Sequence, residues 1–300
     1  MNTFSPINKR NTLNNFLECM DFTVSRETFT LLLDKESELL ITSPQPSLEN
    51  LPSYYESSEY ISHTDSKKSL FDKIYQIVKK YTISKKIKLV KSLLIDVSLN
   101  NAKPKILDIG CGTGDFLAAC DKKRMEVFGV EPNVNAKNIA KQKIIKQGFT
   151  IPNSIFDLDT NTKYDIITMW HVLEHVPNLE EYILKLKDLL QPNGILLIAV
   201  PNYKSYDAKY YKEFWAAYDV PRHLWHFSKK SISLLFSKVA MQVQFIYPMK
   251  FDSFYVSLLS EKYKTGKSNF IKAFYIGFLS NIKAKSKKEY SSLIYVLKNR

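Results

Sequence analysis

The sequence predicts an α/β fold in which a mostly parallel sheet carries helices on both faces. In the stretch 105–116, a short apolar run suits a buried strand, Gly110, Gly112 and Gly114 break it, and a helix-compatible segment begins at Asp115. From there to about residue 200, apolar strand patterns alternate with helical patterns. A chain of 300 residues exceeds the ~150 typical of one domain, so we expect one full α/β domain with additions.

The charge around the glycine turn indicates which ligand it holds. A dinucleotide fingerprint, G-x-G-x-x-G, counted from Gly110 places Asp115 where the last glycine belongs. A pyrophosphate there would meet the carboxylates of Asp108 and Asp115, which is unfavourable for an anion. A cationic ligand is favoured instead. S-adenosylmethionine carries an ammonium and a sulfonium group, so it suits an acidic turn.

The run 107–114, Leu-Asp-Ile-Gly-Cys-Gly-Thr-Gly, resembles the first motif of the class I S-adenosylmethionine-dependent methyltransferases. The resemblance extends over about residues 40–300. It implies a Rossmann-like fold with a seven-stranded, mostly parallel sheet and an antiparallel last strand. It also implies that the chain transfers a methyl group from S-adenosylmethionine to an acceptor.

The expected domains are an N-terminal appendage, residues 1–66, and a methyltransferase domain, residues 67–300. Short strands are predicted at 22–33 and 38–42. Some related methyltransferases carry a zinc ribbon here; because the cysteine ligands are missing, we expect a metal-free hairpin. Residues 67–99 show helical spacing, which predicts two helices or one helix interrupted near 82–84.

A tyrosine-rich stretch ends the appendage and includes Tyr55, Tyr60 and His63. One interpretation is simple packing. The other follows from the resemblance, in which this stretch lies beside the methionine end of the cofactor and the mouth of the acceptor pocket. An aromatic face also suits a sulfonium ion. On that interpretation Tyr60 contacts the cofactor and Tyr55 the acceptor.

A second strand, 126–130, ends in Glu131, which lies 21 residues after Gly110. A carboxylate at this spacing is placed to accept both ribose hydroxyls in a doubly wound sheet. A further strand end is predicted at 154–158, where the resemblance places an acidic residue at the adenine amino group; Asp157 matches it and Asp159 is its rival. The predicted cofactor residues are Asp108, Gly110, Cys111, Gly112, Gly114, Glu131, Pro132, Asp157, Trp170, His171 and Tyr60.

The block 163–178 combines a strong strand signal with the sequence His171-Val-Leu-Glu174-His175. It resembles the fourth-strand motif of the family, which implies that His171 faces the cofactor or the acceptor while Glu174 and His175 brace the loop. The H-x-x-E-H pattern is also found in inverted zinc peptidases. That chemistry needs a long helix and a third downstream ligand, so no metal site is predicted.

A long aromatic loop at 202–228 follows the fifth strand, predicted at 195–200. Loops of this length are usually functional. The resemblance implies an acceptor-binding role, assigned to Trp215, Arg222 and His226, and the phrase Pro-Arg-His-Leu-x-His-Phe-Ser resembles one in a bacterial branch of the family. His223 and His171 are the candidate general bases. The alternative is a packing loop in which His226 caps the helix that starts at Ser228.

Beyond this loop we predict a helix at 228–238, strands at 242–247 and 292–297, and a helical insertion at about 251–288. The insertion is rich in Phe, Tyr and Lys. Three roles are open for it: part of an acceptor pocket, a dimer contact or a membrane-surface patch.

Composition bounds the class of protein and its partners. The net charge of +13 raises the alternative of a nucleic-acid-binding protein or RNA methyltransferase, but the lysines are spread along the chain and no recognisable nucleic-acid module accompanies them. Without an apolar run of ~18 residues or an apolar signal core, we expect a cytoplasmic protein with no membrane span. The favoured acceptor is a small molecule; its identity and the oligomeric state stay open.

Overall fold

The computed structural model of the chain describes residues 4–9, 12–55, 70–94, 103–144 and 149–300. In chain order, the strands of these residues are β1 (Asn14–Met20), β2 (Thr28–Asp34), β3 (Leu39–Ser43), β4 (Lys105–Ile109), β5 (Glu126–Val130), β6 (Tyr164–Trp170), β7 (Leu190–Pro201), β8 (Trp225–His226), β9 (Met241–Pro248) and β10 (Ser292–Asn299). The α-helices are α1 (Leu70–Leu94), α2 (Asp115–Asp121), α3 (Val134–Lys143), α4 (Leu179–Leu189), α5 (Tyr206–Tyr211), α6 (Lys229–Ser237), α7 (Asp252–Thr265) and α8 (Phe270–Lys287).

The larger sheet has the strand order β5-β4-β6-β7-β10-β9, and β4 pairs in parallel with both β5 and β6. The last two strands form an antiparallel pair at one edge. The central strands of the larger sheet are apolar on both faces, and residues 195–200 of β7 are fully buried. Both features are expected for strands that helices cover on both sides. The predicted α/β architecture is confirmed. The predicted count of seven strands was not met, because six strands form this sheet among the described residues.

The chain divides into two compact units, each built from several segments. One comprises residues 62–170, 181–198 and 296–300 and contains β4, β5 and β6. The other comprises residues 1–61, 171–180 and 199–295. Strands β7 and β10 carry residues of both units.

In the second unit, the N-terminal residues form an antiparallel sheet of order β1-β2-β3-β8. The sequence predicted only two of its strands, and it began the first of these at residue 22. The strand begins at Thr28 instead, because the Asp21 carboxylate accepts the backbone N–H groups of Thr23 and Ser25 and closes a turn there. The short strand β8 completes the sheet, with Leu40 opposite His226.

Helix α1 runs for 25 residues without the interruption that was one of the two predictions near 82–84. The sequence there contains Thr82 and Ile83, which are β-branched and weaken a helix locally. In the structure, the Thr82 hydroxyl donates to the Val78 carbonyl at 2.8 Å, so its polar group is satisfied inside the helix. The helix therefore continues through this point.

The strand predicted at 154–158 was wrong. Residues Ile155–Asp157 form a single 3-10 turn, which Ser154 and Asp157 close reciprocally as a capping box. The Ser154 hydroxyl accepts from the Phe156 N–H, and the Asp157 carboxylate accepts from the Ser154 N–H. Ser and Asp at this three-residue spacing favour a turn over a sheet, which the sequence interpretation did not weigh.

The segment 251–288 consists of the helix pair α7 and α8. The two helices pack closely, since a Cβ on Gly277 would lie 2.8 Å from the ring of Phe254. Helix α8 carries a row of exposed apolar side chains: Phe270, Ile271, Phe274, Tyr275, Phe278 and Ile282. None of the helices in the described ranges is long and apolar enough to cross a membrane.

Candidate functional site

Three parallel strands of the first unit end at the same sheet edge. Ile109, the last residue of β4, lies opposite Val130 of β5 and Met169 of β6. The residues that follow, Gly110 and Glu131, and Trp170 at the end of β6, therefore share the edge at which ligands bind in open parallel sheets. Register alone thus places the glycine turn beside the predicted ribose carboxylate.

All three glycines of the turn adopt positive φ angles: 67° at Gly110, 52° at Gly112 and 73° at Gly114. Side chains with a Cβ are strained in this region, so glycine is required for the backbone path. At Gly114 packing adds a second reason, because a Cβ would lie 2.8 Å from the Cβ of Ala140 in α3. At Gly112 no atom of the described residues lies within 4 Å of the Cβ position, so within that part of the chain bare backbone faces open space.

The Glu131 carboxylate holds this turn in place. One oxygen accepts the Gly112 N–H and the other accepts the Asn133 N–H, each at 2.8 Å. The side chain is only 8% exposed, so both hydrogen bonds lie in a sheltered environment where they are worth more than in water. Each carboxylate oxygen has a further lone pair, so Glu131 retains the capacity to accept ligand hydroxyls.

Asp108 lies beneath the turn and is almost completely buried. Burial raises the pKa of its carboxyl group to about 7, against the opposing effects of the Thr168 hydroxyl, which donates to it at 2.5 Å, and of the Lys86 ammonium. The nearby Glu131 carboxylate raises this pKa further. Asp108 is thus poised to ionise near neutral pH, and a cationic ligand beside it would favour the ionised form.

The argument that Asp115 would repel a pyrophosphate is not supported, because neighbouring cations compensate its charge. Its carboxylate receives Lys79 Nζ and Lys143 Nζ, each at 2.9 Å, and the Thr113 hydroxyl at 2.8 Å. Burial alone raises the pKa of Asp115, but the two lysines and the hydroxyl outweigh it and lower that pKa. The charge argument against an anionic ligand therefore rests on Asp108 and Glu131.

Two further predicted cofactor residues line the same edge. Cys111 is buried, and burial raises the pKa of its thiol, so the group is an unreactive small side chain. Trp170 presents its ring to Lys86 Nζ at 4.2 Å and to the edge of Phe116, with ring centroids 5.5 Å apart. The Trp170 indole N–H is buried and has no hydrogen-bond partner within the described part of the chain.

The remaining predicted cofactor residues, apart from His171, are exposed to solvent or lie outside the described residues. Asp157 and Pro132 are exposed, and the Asp157 carboxylate is engaged locally in the capping box. Its rival Asp159 is also exposed and accepts the Asn161 N–H at 2.9 Å. Tyr60 and His63 lie outside the described residues.

In the second unit, a polar cluster forms around the 171–175 segment. His171 has a φ of 59°, and its backbone N–H donates to the Ala199 carbonyl at 2.9 Å. Its ring lies between two carboxylates, with Nε2 3.1 Å from Asp252 and Nδ1 3.4 Å from Glu174. Burial lowers the pKa of His171, but these two carboxylates outweigh it and raise that pKa to about 10. His171 is therefore an imidazolium at neutral pH.

His175 and His223 pack edge to face, with ring centroids 4.5 Å apart. His175 Nδ1 lies 3.0 Å from both the Tyr55 hydroxyl and the Arg222 carbonyl. Burial and the neighbouring His223 lower the pKa of His175 to about 4, so its ring is neutral. The structure thus brings two predicted functional residues, Tyr55 and His223, into contact with His175, which was predicted to brace the loop.

Arg222 is 2% exposed, and its guanidinium group is fully engaged. It donates to Asp219 and Asp21 at 2.7 and 2.9 Å, and to the Tyr54 carbonyl at 2.9 Å. Burial alone raises the pKa values of both aspartates, but the guanidinium outweighs it and holds them below their usual range. These contacts favour a stabilising role for Arg222 over the predicted role as anchor for an acceptor.

Trp215 and His226, the other predicted acceptor residues, are also sequestered. The Trp215 indole N–H donates to Asp207 at 2.8 Å, and the ring is 2% exposed. His226 Nε2 lies 3.0 Å from the Thr42 hydroxyl, and the side chain is 4% exposed. The expectation that His226 caps α6 was wrong, because the Ser228 side chain is the N-cap and accepts the Ser231 N–H.

Several partners of these residues carried no recognisable sequence signal. Thr168 and Asp252 bond Asp108 and His171 from positions 60 and 81 residues away. Asp219 is different, because its i,i+3 spacing to Arg222 is a local pattern that sequence reading can detect.

The chain is a Rossmann-like α/β protein. Its glycine turn lies at the carboxyl edge of the parallel strands, where proteins of this fold bind nucleotide ligands. A family model described as a methyltransferase domain matches residues 78–243, and the chain belongs to this methyltransferase family. The expected class I methyltransferase fold is confirmed.

Individual relatives and solved structures agree with this family. The chain is 35% identical over 107 residues to a ubiquinone biosynthesis O-methyltransferase of Haemophilus ducreyi, covering 33% of this chain and 45% of the relative. With the enzyme of the same name in Rickettsia typhi it shares 31% identity over 151 residues, covering 48% and 58%. The chain thus spans about half the length of these relatives.

Two solved structures share the fold. One is magnesium protoporphyrin IX methyltransferase from Synechocystis with bound S-adenosylmethionine, at a TM-score of 0.51 and 15% identity over 85% of this chain and 100% of that one. The other is the plantazolicin methyltransferase with bound S-adenosylhomocysteine, at a TM-score of 0.52 and 17% identity over 83% and 94%.

We predict that replacing Arg222 with Met destabilises the fold by about 3–5 kcal/mol, because Asp21 and Asp219 would lose their buried partner. The measurement is the free energy of unfolding in urea at neutral pH. The half-exposed pair of Lys204 and Glu38 is the matched control, and Lys204→Met is expected to cost no more than about 1 kcal/mol. Equal losses in the two variants would contradict the stabilising role of Arg222.

We also predict a pH dependence of stability that originates at Asp108. In the folded state the Asp108 carboxyl group keeps its proton up to about pH 7, whereas an aspartate in the unfolded chain ionises at about pH 3.9. The unfolding free energy therefore falls as pH rises between these values and levels off above them. In Asp108→Asn this decrease disappears. Urea titrations of both proteins from pH 4.5 to 7.5 measure it, and parallel curves would refute the assignment.

Proposed function

We propose that the chain is an S-adenosylmethionine-dependent methyltransferase that acts on a small-molecule acceptor. The observation that carries this proposal is the Glu131 carboxylate, which bridges the N–H groups of Gly112 and Asn133 at the carboxyl edge of parallel strands. That arrangement rigidifies a bare-backbone turn while leaving lone pairs for ligand hydroxyls. Membership of the methyltransferase family supports it.

Within this proposal, each part of the cofactor has its own group on the protein. The ammonium of the methionine moiety lies near Asp108, whose ionised form it stabilises. The ribose hydroxyls bind Glu131, and the adenine amino group faces Asp157. The backbone of Gly110, Gly112 and Gly114 allows close approach. Cys111, Pro132 and Trp170 complete the proposed contacts at this edge, and the cofactor contacts expected of His171 and Tyr60 stay predictions.

The reaction is direct displacement at the sulfonium methyl group. An acceptor atom attacks the methyl carbon in line as the carbon–sulfur bond breaks, and S-adenosylhomocysteine leaves with the electron pair of that bond. Because the leaving group is already activated, holding the two reactants in line supplies most of the rate. A base is needed only when the acceptor is a hydroxyl or amine that must lose its proton.

The two candidate bases differ in the groups that surround their rings. His171 is held as an imidazolium between Asp252 and Glu174, so it cannot accept a proton at neutral pH. His223 donates to the Ala217 carbonyl through Nδ1, so in the neutral ring Nε2 is the nitrogen that can accept a proton. His223 is therefore the candidate base that the hydrogen bonds favour.

A hydroxyl group on a small molecule is the proposed acceptor. The relatives from Haemophilus ducreyi and Rickettsia typhi are named O-methyltransferases of ubiquinone biosynthesis, which supports this class of acceptor without identifying the compound. Tyr55 is retained as a proposed acceptor contact, whereas the buried Trp215, Arg222 and His226 are not. The bacterial branch indicated by the 221–228 phrase and a cytoplasmic location stay predictions.

Cofactor binding is tested by a pair of glycine variants. Gly112 and Gly266 both have positive φ, and no other described residue lies near either Cβ position, so Gly→Ala costs each about 1–2 kcal/mol of backbone strain. Only Gly112 lies in the glycine turn. We expect Gly112→Ala to weaken S-adenosylhomocysteine binding at least tenfold by calorimetry, while Gly266→Ala leaves it unchanged.

Wild-type protein that binds neither S-adenosylmethionine nor S-adenosylhomocysteine would overturn the proposed function. Equal affinity in the two glycine variants would overturn the assignment of the turn as the cofactor site.

The alternative, an RNA methyltransferase or nucleic-acid-binding protein, rests on the net charge of +13. Extracts incubated with the protein and methyl-labelled S-adenosylmethionine, then fractionated by size, separate the two hypotheses. We expect label in the low-molecular-weight fraction, extractable into organic solvent. Label in ribonuclease-sensitive material would favour the alternative instead.

A further inference from the structure

Glu174, His175 and His223 form a cluster in the second unit that the proposed methyl transfer does not account for. Each offers one ligand atom, and these atoms lie within 4.8 Å of one another. Glu174 and His175 belong to the 3-10 turn Leu173–His175, and His223 lies on the 219–226 loop. The loop is tied to the turn, since the Leu224 N–H donates to the Glu174 carbonyl at 2.8 Å.

The hydrogen bonds of the two histidines fix which ring nitrogen carries the proton. His175 Nδ1 lies 3.0 Å from the Arg222 carbonyl, and His223 Nδ1 lies 2.9 Å from the Ala217 carbonyl. A carbonyl oxygen can only accept, so each Nδ1 must be the donor in these bonds. The Tyr55 hydroxyl beside His175 can accept as well, so it is compatible with this tautomer. In the neutral form of each ring, Nε2 is therefore left with a lone pair.

The third member of the cluster adds only further lone pairs. Glu174 is 1% exposed, and both of its carboxylate oxygens are buried without a hydrogen-bond partner among the described residues. The His171 imidazolium lies beside it, with Nδ1 3.4 Å from Glu174 Oε1. A buried carboxylate whose oxygens accept no hydrogen bond is costly to maintain. When both rings are neutral, three electron-pair donors therefore converge at this point.

We propose that Glu174, His175 and His223 bind a divalent transition-metal ion of the zinc type, with two imidazole nitrogens and one carboxylate as ligands and at least one coordination position open. Two histidines and a glutamate are a donor set that holds Zn²⁺ in proteins. Imidazole ligands favour zinc, iron, nickel or copper over magnesium, which prefers oxygen ligands.

The surroundings of the cluster match those of bound metals. Metal-ligating histidines commonly donate their other ring N–H to a backbone carbonyl, as His175 and His223 do. Ligands bonded to a tetrahedral ion at about 2.0–2.2 Å lie roughly 3.4 Å apart, so shifts of about 1 Å would close the site from its present spacing. Asp219 Oδ2 lies 3.9 Å from His223 Nε2 and adds negative charge nearby.

The site differs from that of the inverted zinc peptidases, in which the H-x-x-E-H pattern lies on a helix. Here His171 faces Asp252 and Glu174 and is not one of the three ligands, and the third ligand comes from a different loop.

A metal ion would take up the Nε2 lone pair of His223, so in the metal-loaded protein His223 acts as a ligand and not as a base. The proposal does not rest on the proposed methyl transfer.

The test begins with metal-free protein, prepared by chelation of the full chain and titrated with Zn²⁺ in a calorimeter. We expect one Zn²⁺ per chain, and no competing heat from Mg²⁺ at the same concentration. In Glu174→Gln and His223→Asn the affinity should fall by more than the ~10- to 100-fold that loss of an outer-shell partner costs. His171→Asn is the matched control, because it removes an outer-shell partner of Glu174 but no ligand, and its loss of affinity should stay within that ~10- to 100-fold range.

Replacement of Zn²⁺ by Co²⁺ provides a readout that does not depend on variants. Nitrogen and oxygen ligation in a low-coordinate site gives intense visible d–d bands without the near-ultraviolet charge-transfer band of a cobalt–thiolate bond. Such a thiolate band would show that cysteines hold the ion and would overturn the proposal. So would absence of Zn²⁺ binding, or unchanged affinity in Glu174→Gln and His223→Asn variants whose circular dichroism matches wild type.

Discussion

The Glu131 carboxylate, which accepts one backbone N–H from the glycine turn and one from the following turn, is the contact on which the rest of the ligand edge depends. The parallel register brings the ends of β4 and β5 together, and the positive φ angles of the three glycines turn the chain beneath that carboxylate. Without an acceptor at this point, two sheltered N–H groups would lack partners, which costs about 1–3 kcal/mol each. The same residue therefore organises the turn and offers lone pairs to a ligand.

A second constraint is the placement of charge in buried surroundings. Arg222 is enclosed by Asp21 and Asp219, and Asp207 accepts from Trp215, Ser280 and Ser291. Such groups must be paired when they are removed from water. Arg222 and Trp215, which the sequence indicated as acceptor-binding residues, thus form hydrogen bonds with buried aspartates inside the fold. The Glu174 carboxylate and the Trp170 indole N–H, which have no hydrogen-bond partner among the described residues, are consequently the more informative groups.

Charge compensation explains where sequence reasoning about the site failed. Asp115 looked like part of an acidic turn, but Lys79 and Lys143 neutralise it from distant positions in the chain. His171 looked like a base, but Asp252 and Glu174 hold it as an imidazolium. The charge of Asp115 and the protonation of His171 are thus set mainly by partners 28 to 81 residues away. Glu174, three residues from His171, is the local exception. Spacing along the chain carries no information on such pairs.

Local pattern was sufficient for much of the architecture. Apolar runs and glycine spacing identified β4, the turn and Glu131, because strand burial and positive φ impose residue types within a few positions. Short-range capping was equally local, although the 154–158 turn was misread as a strand. What required the folded chain was the assembly of distant segments: the pairing of β3 with β8, the enclosure of Arg222 and the meeting of His223 with Glu174. These depend on long-range contacts, whose energies no single stretch of sequence expresses.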